Sequence, residues 1–411
     1  MKKSLANIRV LDLSRVLAGP FCTQILGDLG AEILKIEKPG TGDDTRSWGP
    51  PFLKDKNGDD STESAYYLST NRNKKSLAVD IKTKQGQELL HKLLEHTDVL
   101  IENFKTGGLE KYGLSYKQLR KKYPRLVYCS ITGFGQTGPL AAESGYDFIA
   151  QGMAGLMAIT GEPDGTPMKA GVALSDIITG LNAAIGILAA LHSRSETGKG
   201  QHIDVALLDC TLAALTNLAQ YYLTSGKVAP RFGNAHSTIV PYQSFAAKDG
   251  HLIIAVGNDE QFKRLCQALG QPSWAKDERF AHNSGRVLNR DVLVPLIAGA
   301  IAARPLQYWL DALIKADVPA GPVNTIDKVF AMDQIQARQM QIAMKHPLAP
   351  APVSLIGSPL KLSETPVSYD QPPPYLGQHT KEILEKLLGL SADEVEKLER
   401  SGVIETAKGR I

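Results

Sequence analysis

Apolar positions recur with two different periods over the first 130 residues. Residues 8–13 (IRVLDL), 32–37 (EILKIE), 76–79 (SLAV), 98–101 (DVLI) and 126–131 (LVYCSI) are short apolar runs of strand length. Helix-length segments separate them. Residues 19–29 carry Pro20 in the first turn and Gly30 just past the end, the usual order of a helix start and stop. Leu89, Leu90, Leu93 and Leu94 fall on one helical face, and 116–122 forms part of a further helix. Strands joined by helix-length crossovers pair in parallel. The pattern predicts an open, doubly wound α/β domain.

Downstream the texture changes. The most apolar run, 177–191, is interrupted by Thr179, Gly180, Asn182 and Gly186 and is shorter than the ~20 residues that cross a bilayer. It reads as a core helix. A strand at 202–205 and a helical run over 207–223 follow. Between about 226 and 330, short strands at 242–245 and 252–256, a Lys248-Asp249-Gly250 turn, and helices at 261–269 and 305–315 predict a second, smaller α+β domain. Residues 347–375 hold eight of the 23 prolines, which predicts an extended segment lying along a surface. Ser391 and Glu394 form a capping box for a last helix that stops near Gly402.

Composition narrows the function. At 411 residues the chain is long enough for two or three domains. Its 46 basic and 43 acidic residues leave a net charge of +3, too balanced for a protein that coats nucleic acid. An anionic ligand must therefore meet a local group of lysines and arginines. Cys22, Cys129, Cys210 and Cys266 are far apart and form no CxxC pair, which argues against a zinc ribbon, a thioredoxin-like site or a disulfide framework. They suit buried thiols in a reducing compartment. No apolar stretch of signal-peptide length precedes Asp12 and Ser14, so the expected location is cytoplasmic, with neither membrane nor nucleic acid as partner.

Several motifs carry chemistry, and each also has a purely structural explanation. Residues 133–138 (GFGQTG) match a dinucleotide fingerprint after a predicted strand. Pro139 and a polar stretch follow instead of the helix that must receive a pyrophosphate, so binding of a nicotinamide or flavin is disfavoured. Asp147, Asp176 and Asp204 sit among apolar residues. Such carboxylates are desolvated, which raises their pKa and their nucleophilicity when ionised. For Asp176, just ahead of an apolar helix, composition alone favours the N-cap. Arg15, Lys38, Arg72, Lys74, Lys75, Lys105 and Lys111 stand near loop starts, where a doubly wound fold could gather them around a phosphate-bearing ligand.

Taken together, the residues resemble a known family nearly end to end. The stretches are 10–20 (VLDLSRVLAGP), 27–31 (GDLGA), 35–39 (KIEKP), 42–46 (GDDTR), 71–76 (NRNKKS), 102–104 (ENF), 133–139 (GFGQTGP), Asp176, 249–250 (DG), 257–258 (GN), 261–262 (QF) and 318–324 (VPAGPVN). They are similar to the class III CoA-transferases, the formyl-CoA:oxalate and carnitine CoA-transferase type. Residues 42–52, 235–237 (AHS), 239–243 (IVPYQ) and 372–374 (PPP) resemble the dicarboxylate branch, which moves CoA from succinyl-CoA to glutarate or hydroxymethylglutarate.

The resemblance implies a Rossmann-like large domain (1–225), a small domain (226–330) and a return segment (331–411) that completes the large one. It also implies two copies interlocked as linked rings. Asp176 matches the nucleophile, which forms first an anhydride and then an aspartyl-CoA thioester, with CoA and acyl-CoA as substrates and no permanent cofactor or metal. Val16, Leu17, Ala18, Lys38, Arg72, Asn73, Lys74, Asn103, Phe104 and Lys111 match CoA contacts. Lys38 and Lys111 replace a frequent Arg, keeping the charge without its bidentate geometry. Arg46, Arg231 and His236 are candidates for a remote substrate carboxylate, and Trp48 and Tyr146 for the acyl pocket. Gly257 and Asn258 stand where formyl-CoA enzymes have a glycine-rich flap, although Asn258 would also cap the next helix. Gly145-Tyr146-Asp147 replaces the Gly-His-Asp of the related 2-methylacyl-CoA racemases, which weakens a racemase assignment. An NAD(P)- or flavin-dependent oxidoreductase and a catalytically idle acyl-CoA binding protein are rival functions.

Overall fold

The computed structural model describes residues 3–407, which divide into two compact units. The large unit comprises 1–156, 170–220 and 334–411, and the small unit comprises 157–169 and 221–333.

The large unit is built on a seven-stranded sheet. Its order is Ile404–Glu405, Lys74–Val79, Glu32–Glu37, Arg9–Asp12, Val99–Glu102, Val127–Thr132 and His202–Ala206. Every pairing is parallel except that of Ile404–Glu405 with Lys74–Val79. Neighbouring residues on a strand face opposite sides, and the core divides accordingly. Leu11, Leu34, Leu77 and Leu100 join one buried cluster, whereas Val10, Ile33, Val99 and Ile101 join the other. Helices cover both sides, which is why these strands read as nearly continuous apolar runs. The expected mixed α/β architecture with a mainly parallel sheet is present.

Two glycines allow close packing near the carboxyl ends of the strands. Helix Ala18–Asp28 packs against helix Leu174–Thr197 where a Cβ on Gly180 would stand 2.6 Å from the Ala18 carbonyl oxygen. At Gly19 a Cβ would meet the Ser14 hydroxyl.

Some expectations are corrected. The apolar run is a helix of 24 residues, long and apolar enough to span a bilayer, and only 39% of its apolar window is buried within the chain. One face, with Ala183, Ala184, Ile187 and Ala190, is in the core as expected, and the other face is left uncovered within the chain. The helical run over 207–223 is two helices, Leu207–Ala214 and Thr216–Ser225, broken where Thr216 takes φ +38°. The proline-rich segment is extended for most of its length but contributes strand Val353–Ile356, paired with Gln341–Met344.

In the small unit, strands Tyr242–Ala247, Gly250–Ala255 and Ala320–Pro322 form an antiparallel sheet. Helices pack on it around Phe262, Leu293 and Trp309.

Candidate active site

From strand Arg9–Asp12 the chain builds outward to Glu32–Glu37 and Lys74–Val79. It then crosses back to place Val99–Glu102 on the other side of the first strand. The crevice beyond the carboxyl ends of Arg9–Asp12 and Val99–Glu102 is thus the point where strand order reverses, the place where open α/β sheets take ligands. A cleft of about 720 Å³ lies there. Residues 15–18 line it from one strand end, and Asn103, Phe104 and Lys111 from the other.

Asn103 ties the two sides together. Its side-chain oxygen accepts the Arg15 N–H at 3.0 Å, and its amide donates to the Arg15 carbonyl at 2.7 Å. Arg15 in turn pairs with Asp44 at 2.7 Å.

Asp176 lines the same cleft from the first turn of helix Leu174–Thr197. It is not the N-cap that composition favoured. The cap position is Ala173, which has no side chain able to accept, and the carboxylate of Asp147 supplies the missing acceptor. Asp147 Oδ1 takes the Ser175 N–H at 2.8 Å and the Asp176 N–H at 3.4 Å. The Asp176 carboxylate is left free of this duty. Burial, and then the negative charge of Asp147, push its pKa up to about 7. The phenol of Tyr66 is pushed up to about 12, first by burial and then by the carboxylates of Asp176, Asp147 and Asp43. Its ring meets Trp48 edge-on at 5.3 Å.

The structure brings Val16, Leu17, Ala18, Asn103, Phe104, Lys111, Trp48 and Tyr146 into one cleft with Asp176. Tyr146, 64% exposed, is open to solvent in the single chain. Other candidates lie elsewhere for clear physical reasons. Lys38 is exposed outside the lining. Arg72 is buried, with its guanidinium on Asp28 and the Ile356 carbonyl. Asn73 is buried with φ +59° and binds Asp28, the Ser368 carbonyl and the Asp370 N–H, so it pins the proline-rich segment. Lys74 is fully buried on Asn71, the Pro20 carbonyl and Asp12, and burial pulls its pKa down to about 7.

Arg46 is not a substrate clamp. Its guanidinium is 5% exposed and bound to Glu37 and Glu63, with Tyr67 hydrogen-bonded to one nitrogen and stacked beneath the group. The guanidinium is engaged by acceptors inside the fold, and Arg46 does not line the cleft.

Within the small unit, Arg231 is committed to the carbonyls of Glu162, Pro163 and Gly165. His236 accepts the Thr238 N–H and rests against Tyr242. Asn258 caps helix Asp259–Ala268 by accepting the Gln261 N–H at 2.9 Å, and the Gly257 N–H donates to the Gln261 side chain. The structural explanation therefore holds for the 257–258 pair.

The glycine loop is also structural. Gly133 crosses Gly145 so closely that a Cβ on it would clash with the Gly145 Cα. The next helix begins only at Asp147, and the Gln136 N–H is held by Asp204 at 2.9 Å. No helix N-terminus meets the third glycine, as a dinucleotide fingerprint requires. Among the described residues, no group of three or more His, Cys, Asp or Glu side chains is arranged to hold a metal ion.

The pattern of CoA-transferase family III matches residues 5–380. A succinate–glutarate CoA-transferase of Agrobacterium fabrum is 48% identical over 386 residues, covering 94% of this chain and 96% of that one. A succinyl-CoA:glutarate CoA-transferase of Mus musculus is 46% identical over 403 residues, covering 98% and 91%. The crystal structure of a CAIB/BAIF family protein from Brucella suis superimposes with a TM-score of 0.85 at 48% identity, covering 94% of this chain and all of that one. The chain belongs to CoA-transferase family III and is an enzyme that transfers CoA.

Proposed function

We propose that this enzyme moves CoA from succinyl-CoA to glutarate or a similar dicarboxylate, with Asp176 as the nucleophile. The observation that carries the reading is the free Asp176 carboxylate, relieved of helix capping by Asp147, in the cleft at the strand-order reversal. The names of the Agrobacterium and mouse relatives supply the acid pair.

Each proposed step conserves the thioester energy. Asp176 attacks the succinyl carbonyl, the C–S bond breaks, and CoA leaves as thiolate beside a mixed anhydride. The thiolate attacks the Asp176 carbonyl carbon and expels succinate, leaving an aspartyl-CoA thioester. Glutarate attacks that carbon and releases the thiolate again. Attack of the thiolate on the glutaryl carbonyl then frees Asp176 and forms glutaryl-CoA. Covalent catalysis divides one difficult exchange into easier ones, and no net proton is consumed. Residues 16–18, Asn103, Phe104 and Lys111 would hold the CoA, with Lys111 as a point charge for phosphate. Trp48 and Tyr146 would shape the acyl end.

We place the enzyme in the cytoplasm as an interlocked homodimer. The described cysteines are all free and buried. Leu181 and Ile185, 44% and 64% exposed, lie one turn apart on the long apolar helix, and Phe148, Met153 and Leu212 are exposed on helices packed against it. An apolar surface of this kind marks an interface, and a second copy is the occupant that the family resemblance implies.

The test is an exchange assay with succinyl-CoA and a panel of short mono- and dicarboxylic acids. Dicarboxylates, with glutarate among the best, should be preferred. A preference for monocarboxylates would contradict the substrate assignment and leave the enzyme class intact.

A further inference from the structure

The loop over residues 15–18 contains a conformation that its sequence disfavours. Val16 takes φ +71°, a left-handed backbone in which a β-branched side chain is a genuine outlier. Such strain persists only where the surroundings enforce it. Here the surroundings are two side chains with no solvent access.

Lys35, on strand Glu32–Glu37, and Asp43, just ahead of the 3-10 turn Asp44–Ser47, form an ion pair at 2.8 Å with both side chains 0% exposed. The pair holds the two peptide groups that lead into the strained residue. Lys35 Nζ donates to the Ser14 carbonyl at 2.9 Å, on one side of Val16. Asp43 accepts the Val16 N–H itself, at 3.2 Å and 3.3 Å to its two oxygens. Asp43 is held in place by the N–H and hydroxyl of Thr45 at 3.0 Å and 2.8 Å. Burial opposes its ionisation, but Lys35 and Thr45 overcome burial and hold the pKa down at about 2.

We propose that the buried Lys35–Asp43 pair is a positioning device for CoA binding, which keeps Val16 in its left-handed conformation and so gives residues 15–18 the shape of the cleft wall. The proposal rests on the reading of this cleft as the CoA site. Neither residue lines the cleft, so neither is a catalytic residue. Both act through the loop.

The experiment measures CoA affinity and steady-state kinetics in the full-length enzyme for four proteins: unmodified, D43N, V16G and D43N/V16G. Glycine adopts the left-handed region without steric cost, so it no longer needs the brace. D43N removes the charge that pairs with buried Lys35 and puts an NH2 in place of one of the two oxygens that meet the Val16 N–H, and it should weaken CoA about tenfold, the order expected for weakening a charge-assisted hydrogen bond. The effect should fall on KM for succinyl-CoA more than on kcat. In the V16G background the same substitution should change affinity by about twofold or less, because the coupling runs through the backbone of residue 16. A general loss of structure would weaken binding equally in both backgrounds, and that result, or no effect of D43N, would overturn the proposal. Should D43N not fold, T45V removes one orienting bond to Asp43 and leaves the ion pair intact. It should weaken CoA about threefold, and unchanged affinity would overturn the proposal. Failure of the unmodified enzyme to bind CoA would overturn the reading of the cleft and the brace together, whereas tight binding indifferent to D43N would overturn the brace alone.

Discussion

Asp147 Oδ1 accepts the backbone N–H of Ser175 at 2.8 Å and that of Asp176 at 3.4 Å. One carboxylate therefore satisfies the helix N-terminus from outside, and the other is left free in the cleft. The two are coupled in charge as well as in geometry, because Asp147 adds to the burial that raises Asp176.

That coupling is measurable. Acylation requires ionised Asp176, so release of succinate in the first half-reaction should rise with pH through about 7 and then level off. Asp147→Asn keeps an oxygen for the helix donors but removes the charge, and the midpoint should shift down. It should stay above the ordinary value of 3.8, because burial is the larger cause. Rapid-quench measurement of succinate release across pH 5–9 checks both, and an unmoved midpoint would contradict the coupling.

Stability should show the same shift with the opposite sense. A carboxyl whose pKa is higher folded than unfolded binds more protons in the folded state. Its contribution to stability therefore declines as pH rises from about 4 to about 7. Asp176→Asn removes that penalty. Its melting temperature should exceed that of the unmodified enzyme at pH 8, and the gap should narrow at pH 5. A gap that widens on acidification would reverse the sign of the argument.

Arg46 gives a prediction of a different kind. Removing it takes the guanidinium away from two buried carboxylates, Glu37 and Glu63, and Arg46→Ala should cost about 3–5 kcal/mol in chemical denaturation. Among folded molecules the ratio of glutarate to other acids as acceptors should be unchanged. An altered acceptor preference at normal stability would restore Arg46 to the substrate pocket.

Gly180→Ala tests how the catalytic helix is seated. The added methyl would stand 2.6 Å from the Ala18 carbonyl, so backbone must move at a cost of about 1–3 kcal/mol. The same substitution should raise KM for succinyl-CoA, since Ala18 is part of the cleft wall. Unchanged stability and KM would show that the helix and the loop do not depend on this contact.

The fold was largely legible because buried parallel strands leave a strong signal. The strands at 9–12, 32–37 and 127–132 stand within a residue or two of their expected limits, and so does the capped last helix. The short hairpin strands Phe52–Lys54 and Asp60–Ser64, paired with each other, were not legible, since they are three and five residues long and Asp60–Ser64 carries no apolar residue to mark a buried face.

The site was legible in part. Asp176 stood out through the family resemblance, because its apolar setting was shared by Asp147 and Asp204 and by itself suggested a cap. Asp147 as the external cap could not be read, because nothing in the sequence shows that the two meet. The same limit applies to charge. Arg46, Arg72 and Lys74 look like ligands for phosphate or carboxylate in one dimension, and folding closes acidic partners around them. Lys35 and Asp43 gave no sign that they bind the peptide groups leading into Val16, because a positive φ at valine is imposed by tertiary contacts rather than by local preference.

The most direct measurement is intact-mass spectrometry of the enzyme mixed with succinyl-CoA and no acceptor acid. A covalent CoA adduct should form, map by peptide analysis to Asp176, disappear on addition of glutarate, and be absent from Asp176→Ala along with at least about a thousandfold of the exchange rate. An adduct on another residue, or undiminished turnover in Asp176→Ala, would contradict the account.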